Sequence, residues 1–251
     1  MSRTVASIIA GRPATEAPGG HETSTNPSDT SETVADVLLG DAATFVAACE
    51  AAREAQREWA AVPAPVRGRA IQQLGRLVED NKEALSRLVT REIGKPYAES
   101  LGEVQEIVDT CNFFVGEGRR LYGQTVPSEM SDKQLFTFRN PVGVAAIITA
   151  GNFPVAVPSW YLVPALLCGN AAVWKPAEYA PAVSEEPGRT SNATELPGNV
   201  SGCVYALYAN HPAKPAPMAS SHRNSRKMRL ARTARSRGAA MGENLVRTGA
   251  L

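Results

Sequence analysis

Residues 142–178 read VGVAAIITAGNFPVAVPSWYLVPALLCGNAAVWKPAE, and this stretch decides the fold class. The apolar run 142–148 is continuous, which is typical of a strand covered on both faces. Residues 158–168 predict a short helix closed by Gly169, and the apolar run 171–174 predicts a second strand. The crossover in such a strand, helix, strand unit is right-handed and leaves the two strands parallel. We therefore expect an α/β protein whose two strands end at the same edge of one sheet.

Polar residues follow both predicted strands at that edge, where open α/β sheets bind their ligands. Asn152 offers a side-chain amide of the kind that stabilises a tetrahedral oxyanion. The alternative is a turn residue that bonds its own backbone. Lys175 can donate to ribose hydroxyls and Glu178 can accept from them. The alternative for this second pair is a solvated Lys/Glu pair after a strand.

Three helices are predicted upstream. Asp41 is placed to cap the first helix, and a second helix follows Pro65 and ends before Gly94. Pro96 opens a third helix, whose acidic residues are expected to face water. Further on, Phe136 and Phe138 alternate with polar residues and predict a half-buried strand. The predicted stripe of the first helix is Phe45, Cys49, Ala52 and Trp59, and the acidic residues of the third are Glu99, Glu103, Glu106 and Asp109.

Composition changes at about Pro181. Up to that residue the chain has 16 basic and 21 acidic residues, and 43 residues are Ile, Leu, Val or Phe. The last 70 residues have 10 basic and 4 acidic residues and only 9 of those apolar residues. A segment with so few apolar residues buries too little surface to offset the conformational entropy that it loses on folding. We expect a disordered lead over 1–25, a domain over 26–181 and a low-order basic tail over 182–251.

The remaining composition narrows the class of protein. No run approaches the roughly 20 apolar residues of a membrane span, and the first 25 residues hold no signal-peptide core, so a membrane partner is disfavoured. The four cysteines form neither a zinc motif nor a disulfide framework, and no metal site is expected. A reduced, cytoplasmic setting is the default. The cysteines are Cys49, Cys111, Cys168 and Cys203.

Several motifs together resemble the NAD(P)-dependent aldehyde dehydrogenase superfamily, over about residues 26–181. They occur in the order usual for that family. The motifs are NPSDTSETV (26–34), WAAVP (59–63), EIGKP (92–96), PVGV (141–144), ITAGNFP (148–154), PALLCGN (164–170) and WKPAE (174–178).

The resemblance implies an aldehyde-dehydrogenase-like α/β fold: amino-terminal helices plus part of a parallel Rossmann-type cofactor sheet. It implies oxidation of an aldehyde to a carboxylic acid with NAD, and assembly as a homo-oligomer. A carboxylate at 178 would repel a 2′-phosphate, so NAD is favoured over NADP. By resemblance Asn152 is the catalytic oxyanion donor, and the cofactor-binding residues are Ile148, Thr149, Ala150, Gly151, Asn152, Lys175 and Glu178.

The chain also departs from the family pattern. Gly151 stands where the family usually has Trp or Phe, so an aromatic wall is missing or is supplied elsewhere. After Pro181 there is no motif for the family's nucleophilic Cys or its catalytic Glu, and the surroundings of Cys203 do not match that nucleophile. We therefore expect a truncated chain that is inactive alone, and a shifted reading frame would explain the tail.

Two alternative functions remain open. One is a non-catalytic pseudoenzyme that binds NAD or pairs with a homologue. The other is a basic-tailed interaction protein, since residues 223–237 are rich in arginine. No aromatic residue is interleaved with that basic stretch, which disfavours a nucleic-acid partner.

Overall fold

The computed structural model describes residues 3–191 and 201–203, which contain both strands and helices. All of these residues belong to one unit, Met1–His211. The strands are β1 (Arg3–Ala6), β2 (Ile8–Ile9), β3 (Arg12–Pro13), β4 (Gly20–Asn26), β5 (Asp29–Leu39), β6 (Thr125–Val126), β7 (Leu135–Phe136), β8 (Val144–Ile148), β9 (Ala171–Lys175) and β10 (Ser201–Cys203). The helices are α1 (Ala42–Ala61), α2 (Ala64–Asp80), α3 (Lys82–Ile93), α4 (Tyr97–Glu117), α5 (Ala156–Leu167) and α6 (Pro181–Ser191).

The predicted strand, helix, strand unit is confirmed as β8, α5 and β9, and so is the α/β class. Strands β8 and β9 are parallel, with Val144 opposite Ala171 and Ile148 opposite Lys175. They lie in a five-stranded sheet of order β3-β2-β10-β9-β8. Gly169 follows the end of α5 with φ +85°, in the region that favours glycine. Both loops at the predicted edge therefore leave neighbouring strands.

The prediction that β8 is covered on both faces is wrong. In the described part of the chain β8 is the last strand of its sheet, whereas every residue of β9 is buried. Val142 is 90% exposed just before β8, and Ile148 is 58% exposed at its end. Both strands have a continuous apolar run in the sequence. Such a run does not indicate whether a strand lies inside the sheet or at its end.

The prediction of a disordered lead over residues 1–25 is also wrong for residues 3–25. Strand β1 runs parallel to β5, and β4 pairs antiparallel with β5, in a three-stranded sheet. Val5 is completely buried, in an apolar cluster that includes Val34 and Val37 of β5. The lead is poor in apolar residues, yet it is ordered because β5 supplies hydrogen bonds along two strands and much of the buried apolar surface.

The predicted boundary at Pro181 falls inside ordered structure. Pro181 begins α6, where Ala182 and Val183 are completely buried, and β10 runs parallel to β9. The first turn of α6 is ordered because the carboxylate of Glu92 accepts the backbone N–H groups of Ala182 and Val183, at 2.9 and 2.7 Å. The remaining predictions for the tail, including the basic stretch 223–237, lie outside the described residues.

Upstream helices follow the sequence with one difference. The Asp41 cap is confirmed, because its Oδ1 accepts the N–H of Thr44 at 2.9 Å. Gly94 ends α3 with φ +71°. The single helix predicted after Pro65 is instead two helices, which meet at Asn81.

The aromatic strand predicted at 136–138 is short and exposed. Only Leu135 and Phe136 form a strand, β7, which pairs antiparallel with β6. Both Phe136 and Phe138 are exposed, so the expectation of a half-buried strand is wrong. Within the described residues, none of the helices has both the length and the apolar character required to cross a membrane.

Candidate active site at the carboxyl edge of the sheet

The two loops of the candidate site are joined where β8 and β9 end. The N–H of Thr149 donates to the carbonyl of Lys175 at 3.3 Å, which extends the pairing of the two strands by one residue. The indole N–H of Trp174 donates to Oγ1 of Thr149 at 2.9 Å. Trp174 is a buried residue of β9, so this bond fixes the start of the first loop against the second strand.

Lys175 and Glu178 form an ion pair within the second loop. The Lys175 Nζ lies 2.6 Å from Glu178 Oε1, with side chains only 7% and 14% exposed. The interpretation of these residues as a solvated surface pair is therefore wrong. Two opposite charges this deeply placed need hydrogen-bonding partners, and each supplies one to the other.

Asn152 lies exposed in the first loop. Its side-chain amide makes no hydrogen bond to any residue that the structure describes, so it does not bond its own backbone as the turn interpretation supposed. The amide N–H group is free to donate to a ligand. Gly151 before Asn152 and Pro154 two residues after it are both buried.

A buried carboxylate holds the far end of this loop. Glu103 of α4 accepts the backbone N–H groups of Val155 and Ala156 through Oε1, at 2.9 and 3.2 Å. It also pairs with the ammonium group of Lys95, which lies 3.9 Å from the ring centroid of Phe153. Glu103 is 1% exposed, so the prediction that it faces water is wrong. A carboxylate suits the beginning of α5, where the helix presents free N–H groups and a positive dipole end.

The other end of α5 is held by three donors from α1 and α2. The Trp59 indole N–H donates to the carbonyl of Leu166 at 2.8 Å, and the Arg67 Nε donates to that of Leu167 at 2.7 Å. The Gln56 amide donates to the carbonyl of Gly169 at 3.0 Å. The last carbonyls of a helix have no partner within it, and these side chains supply the partners. Helix α5 is therefore fixed at both ends beneath the two loops.

A third side chain, Tyr179, joins the two loops. The Gly151 N–H donates to the Tyr179 hydroxyl at 3.3 Å. A Cβ placed on Gly151 would overlap Cε2 of the Tyr179 ring and lie 2.9 Å from the Cβ of Ala177. The ring therefore fills the space that a side chain at position 151 would enter.

None of the three cysteines with described side chains lies on these loops. Burial raises the pKa of the Cys111 thiol to about 12 and also raises the pKa of Cys49. Cys168 follows the last turn of α5. Cys203 ends β10 opposite Trp174 in the parallel pairing.

The seven residues predicted for the site all lie on β8, β9 or the loops that follow them. Sequence reasoning missed Glu103, Lys95 and Tyr179. Lys95 belongs to the EIGKP motif and Tyr179 directly follows WKPAE, so both lay within or beside the quoted motifs. Glu103 carried no such signal.

Comparisons with known proteins cover most of this chain. A sequence model of the aldehyde dehydrogenase family matches residues 15–210, which extends the resemblance on both sides of 26–181. The chain is 38% identical over 200 residues to aldehyde dehydrogenase family 7 member A1 of Pisum sativum, covering 78% of this chain and 39% of that protein.

Two solved structures show the same fold. An Escherichia coli NADP-dependent enzyme matches with a TM-score of 0.79 and 30% identity, covering 82% of this chain and 43% of that one. An NAD-dependent benzaldehyde dehydrogenase from Corynebacterium glutamicum matches with a TM-score of 0.77 and 28% identity, covering 81% and 44%. The chain thus spans about two fifths of the length of these proteins. On the family match and the parallel unit that carries its motifs, this chain belongs to the aldehyde dehydrogenase family.

Proposed function

We propose that the chain binds NAD at the carboxyl edge of β8 and β9, as the cofactor-binding portion of an enzyme that oxidises an aldehyde to a carboxylic acid. The Lys175–Glu178 ion pair carries this proposal. It places a hydrogen-bond donor and an acceptor together at the end of a strand, where α/β sheets bind nucleotides. The 2′- and 3′-hydroxyls of a ribose can bond to both groups.

The same pair supports NAD as the preferred cofactor. Glu178 can accept a hydrogen bond from a ribose hydroxyl, whereas its charge would repel a 2′-phosphate. The names of the structural relatives include both an NAD-dependent and an NADP-dependent enzyme, so membership in the family leaves the choice open. In our proposal Glu178 makes that choice.

The first loop has a separate role. Held by Lys175 and Glu178, NAD would supply the acceptor for the hydride, which leaves the carbon of the adduct that the family's thiolate forms with the aldehyde. Asn152 donates its free amide N–H to the oxygen on which negative charge develops, a contribution of about 3 kcal/mol in a water-excluded site. Backbone groups of Ile148, Thr149, Ala150 and Gly151 contact the cofactor. The bond that Trp174 donates to the Thr149 hydroxyl and the bond that the Gly151 N–H donates to Tyr179 hold this loop in place before the ligand arrives.

We also propose that this chain alone does not turn over an aldehyde. The family's reaction needs a thiolate nucleophile and a carboxylate that activates water. Cys111 keeps its proton at neutral pH, and the sequence around Cys203 is unlike that nucleophile's. Purified chain with NAD and a panel of aliphatic and aromatic aldehydes should form no NADH above the blank. A rate that Cys203→Ser abolishes would contradict this.

Calorimetric titration of the full chain with NAD and with NADP tests the cofactor proposal. Lys175→Ala should weaken NAD binding tenfold or more, because a hydrogen bond to a charged group contributes roughly 1.5–3 kcal/mol. Glu178→Gln should weaken NAD binding and reduce the preference for NAD over NADP. Lys133→Ala removes an exposed lysine between β6 and β7 and serves as the matched control.

The control variant should bind NAD as the unmodified chain does. Micromolar NAD affinity that survives both Lys175→Ala and Glu178→Gln would show that the cofactor lies elsewhere. Tighter binding of NADP than of NAD would contradict the role given to Glu178.

A further inference from the structure

Position 151 lacks a side chain, in a loop where the family that the chain resembles usually has Trp or Phe. Gly151 is buried although it has no side chain of its own, because the Tyr179 ring and Ala177 pack against it. The two loops meet there through the Gly151 N–H and the Tyr179 hydroxyl, 3.3 Å apart. Tyr179 immediately follows Glu178, and Gly151 immediately precedes Asn152. The contact therefore lies between Asn152 and Glu178, the two residues that contact the ligands in our proposal.

We propose that Tyr179 supplies the aromatic wall of the cofactor-binding loops in place of a side chain at position 151. This inference rests on the proposed function, since the wall serves the dinucleotide that Lys175 and Glu178 bind. It adds a positioning residue to the site, and it assigns the role to the second loop rather than to the first.

The present position of the Tyr179 ring leaves no space for a side chain at position 151. A Cβ at 151 would overlap the Tyr179 ring, so any larger residue there would displace it. Protein interiors are close-packed, and a ring cannot share its volume with another side chain. With glycine at 151, the ring settles against the backbone of the first loop, and its hydroxyl accepts the Gly151 N–H.

The remaining surface of the ring is available to a ligand. Tyr179 is 48% exposed, although its hydroxyl end is engaged with Gly151. Flat rings and sugars of nucleotides pack well on such aromatic faces, and loss of one stacking contact commonly weakens binding by about tenfold. The ring also fixes the backbone beside Asn152, so its loss should affect both the wall and the first loop.

A double-mutant cycle tests whether a side chain at position 151 and the ring of Tyr179 compete for the same space. Gly151→Phe alone should lower the melting temperature, because the new side chain meets the Tyr179 ring. Gly151→Phe in a Tyr179→Ala background should recover the part of that loss that the ring causes, while the close contact with the Cβ of Ala177 remains. A loss in the double variant equal to the sum of the two single losses would overturn the inference.

NAD titration tests the role of the ring towards the ligand. Tyr179→Ala should weaken NAD binding about tenfold, while Tyr179→Phe, which keeps the ring, should stay within about threefold of the unmodified chain. Tyr122→Ala removes another exposed tyrosine, away from both loops in sequence, and should leave binding unchanged.

The outcomes separate this inference from the proposed function. If the unmodified chain binds NAD and Tyr179→Ala binds it equally well, the wall role is wrong and the proposed function stands. If no variant binds NAD at all, the proposed function fails and the wall role fails with it. A Tyr179→Phe variant as weak as Tyr179→Ala would assign the effect to the hydroxyl and overturn the wall role.

Discussion

At the scale of single residues, Glu92 is a clear example of an ionisable side chain that is buried in the protein and hydrogen-bonded there. It is almost fully buried, and its carboxylate accepts hydrogen bonds from the Ser24 hydroxyl and from the N–H groups of Ala182 and Val183. Burial raises the pKa of Glu92 from 4.5 to about 6, against the hydrogen bonds, which lower it. Desolvation of the charge therefore outweighs the three donors.

This shift predicts that stability depends on pH in an unusual direction for a carboxyl group. Because the pKa is higher in the folded chain than in the unfolded chain, the folded state binds the proton more tightly between pH 4.5 and 6. The contribution of Glu92 to the free energy of unfolding is present below pH 4.5 and is lost as pH rises through 6. Its size is about 2 kcal/mol.

Urea unfolding of the chain and of Glu92→Gln at several pH values checks this. The stability of the unmodified chain relative to the variant should rise by about 2 kcal/mol as pH falls from 7 to 4.5. Glu99→Gln, on the exposed side of α4, is the control and should show no such trend. A relative stability that falls with decreasing pH would mean that the hydrogen bonds dominate over desolvation.

At the scale of elements, α5 sits beneath the site with side chains from other helices bonded to both of its ends. Glu103 of α4 accepts from its first turn, and Trp59 and Arg67 donate to its last carbonyls. Helix α5 contains Pro164, and its N-cap residue Val155 makes no side-chain capping hydrogen bond. The loop that carries Asn152 therefore takes its position from α1, α2 and α4 as well as from the sheet.

Glu103→Ala should destabilise the chain by roughly 3–5 kcal/mol, because it leaves Lys95 without this partner and leaves two buried N–H groups without an acceptor. Glu103→Gln keeps an acceptor oxygen and should lose less. Glu106→Ala, on the same helix, is the matched control. Chemical unfolding compares the four proteins, and equal stabilities for Glu103→Ala and Glu106→Ala would show that Glu103 does not hold α5.

The elements that sequence could predict are those determined locally. Asp41 caps α1, Gly94 ends α3, and the apolar runs around α5 mark a parallel unit, because each signal lies within the element it describes. Glu103 was misplaced because the helical period sets it on a polar face, while the backbone N–H groups that it accepts lie about 50 residues further along the chain. The site followed the same rule. The seven predicted residues lie together at one edge of the sheet because local motifs mark them, whereas Tyr179 depended on the absence of a side chain in another loop.

At the scale of the whole molecule, the described sheet ends with β8, and this strand has an exposed face. Ala146 and Ile148 lie on that face, and Val142 precedes it. A sheet edge with free backbone groups and apolar side chains is a template for pairing with another chain.

We expect Ala146→Lys to reduce self-association of the chain, because a charge on an edge strand opposes edge-to-edge pairing. Sedimentation velocity over a range of concentrations measures the monomer fraction, which should rise in the variant. Ser128→Lys adds the same charge in the segment between β6 and β7 and serves as the control. An equal monomer fraction in both variants would mean that β8 takes no part in association.

The contacts of Glu92 also set an order for folding during synthesis. Ser24 is made early, yet the carboxylate that binds it also holds Ala182, and Arg3 pairs with Glu185 and Glu186. At about 5–20 residues per second, the ribosome needs roughly 10–40 s to pass from the first of these residues to the last. During that interval the newly made amino-terminal strands lack the helix that covers them. The nascent chain must therefore wait for α6 to emerge before its beginning can be locked in place.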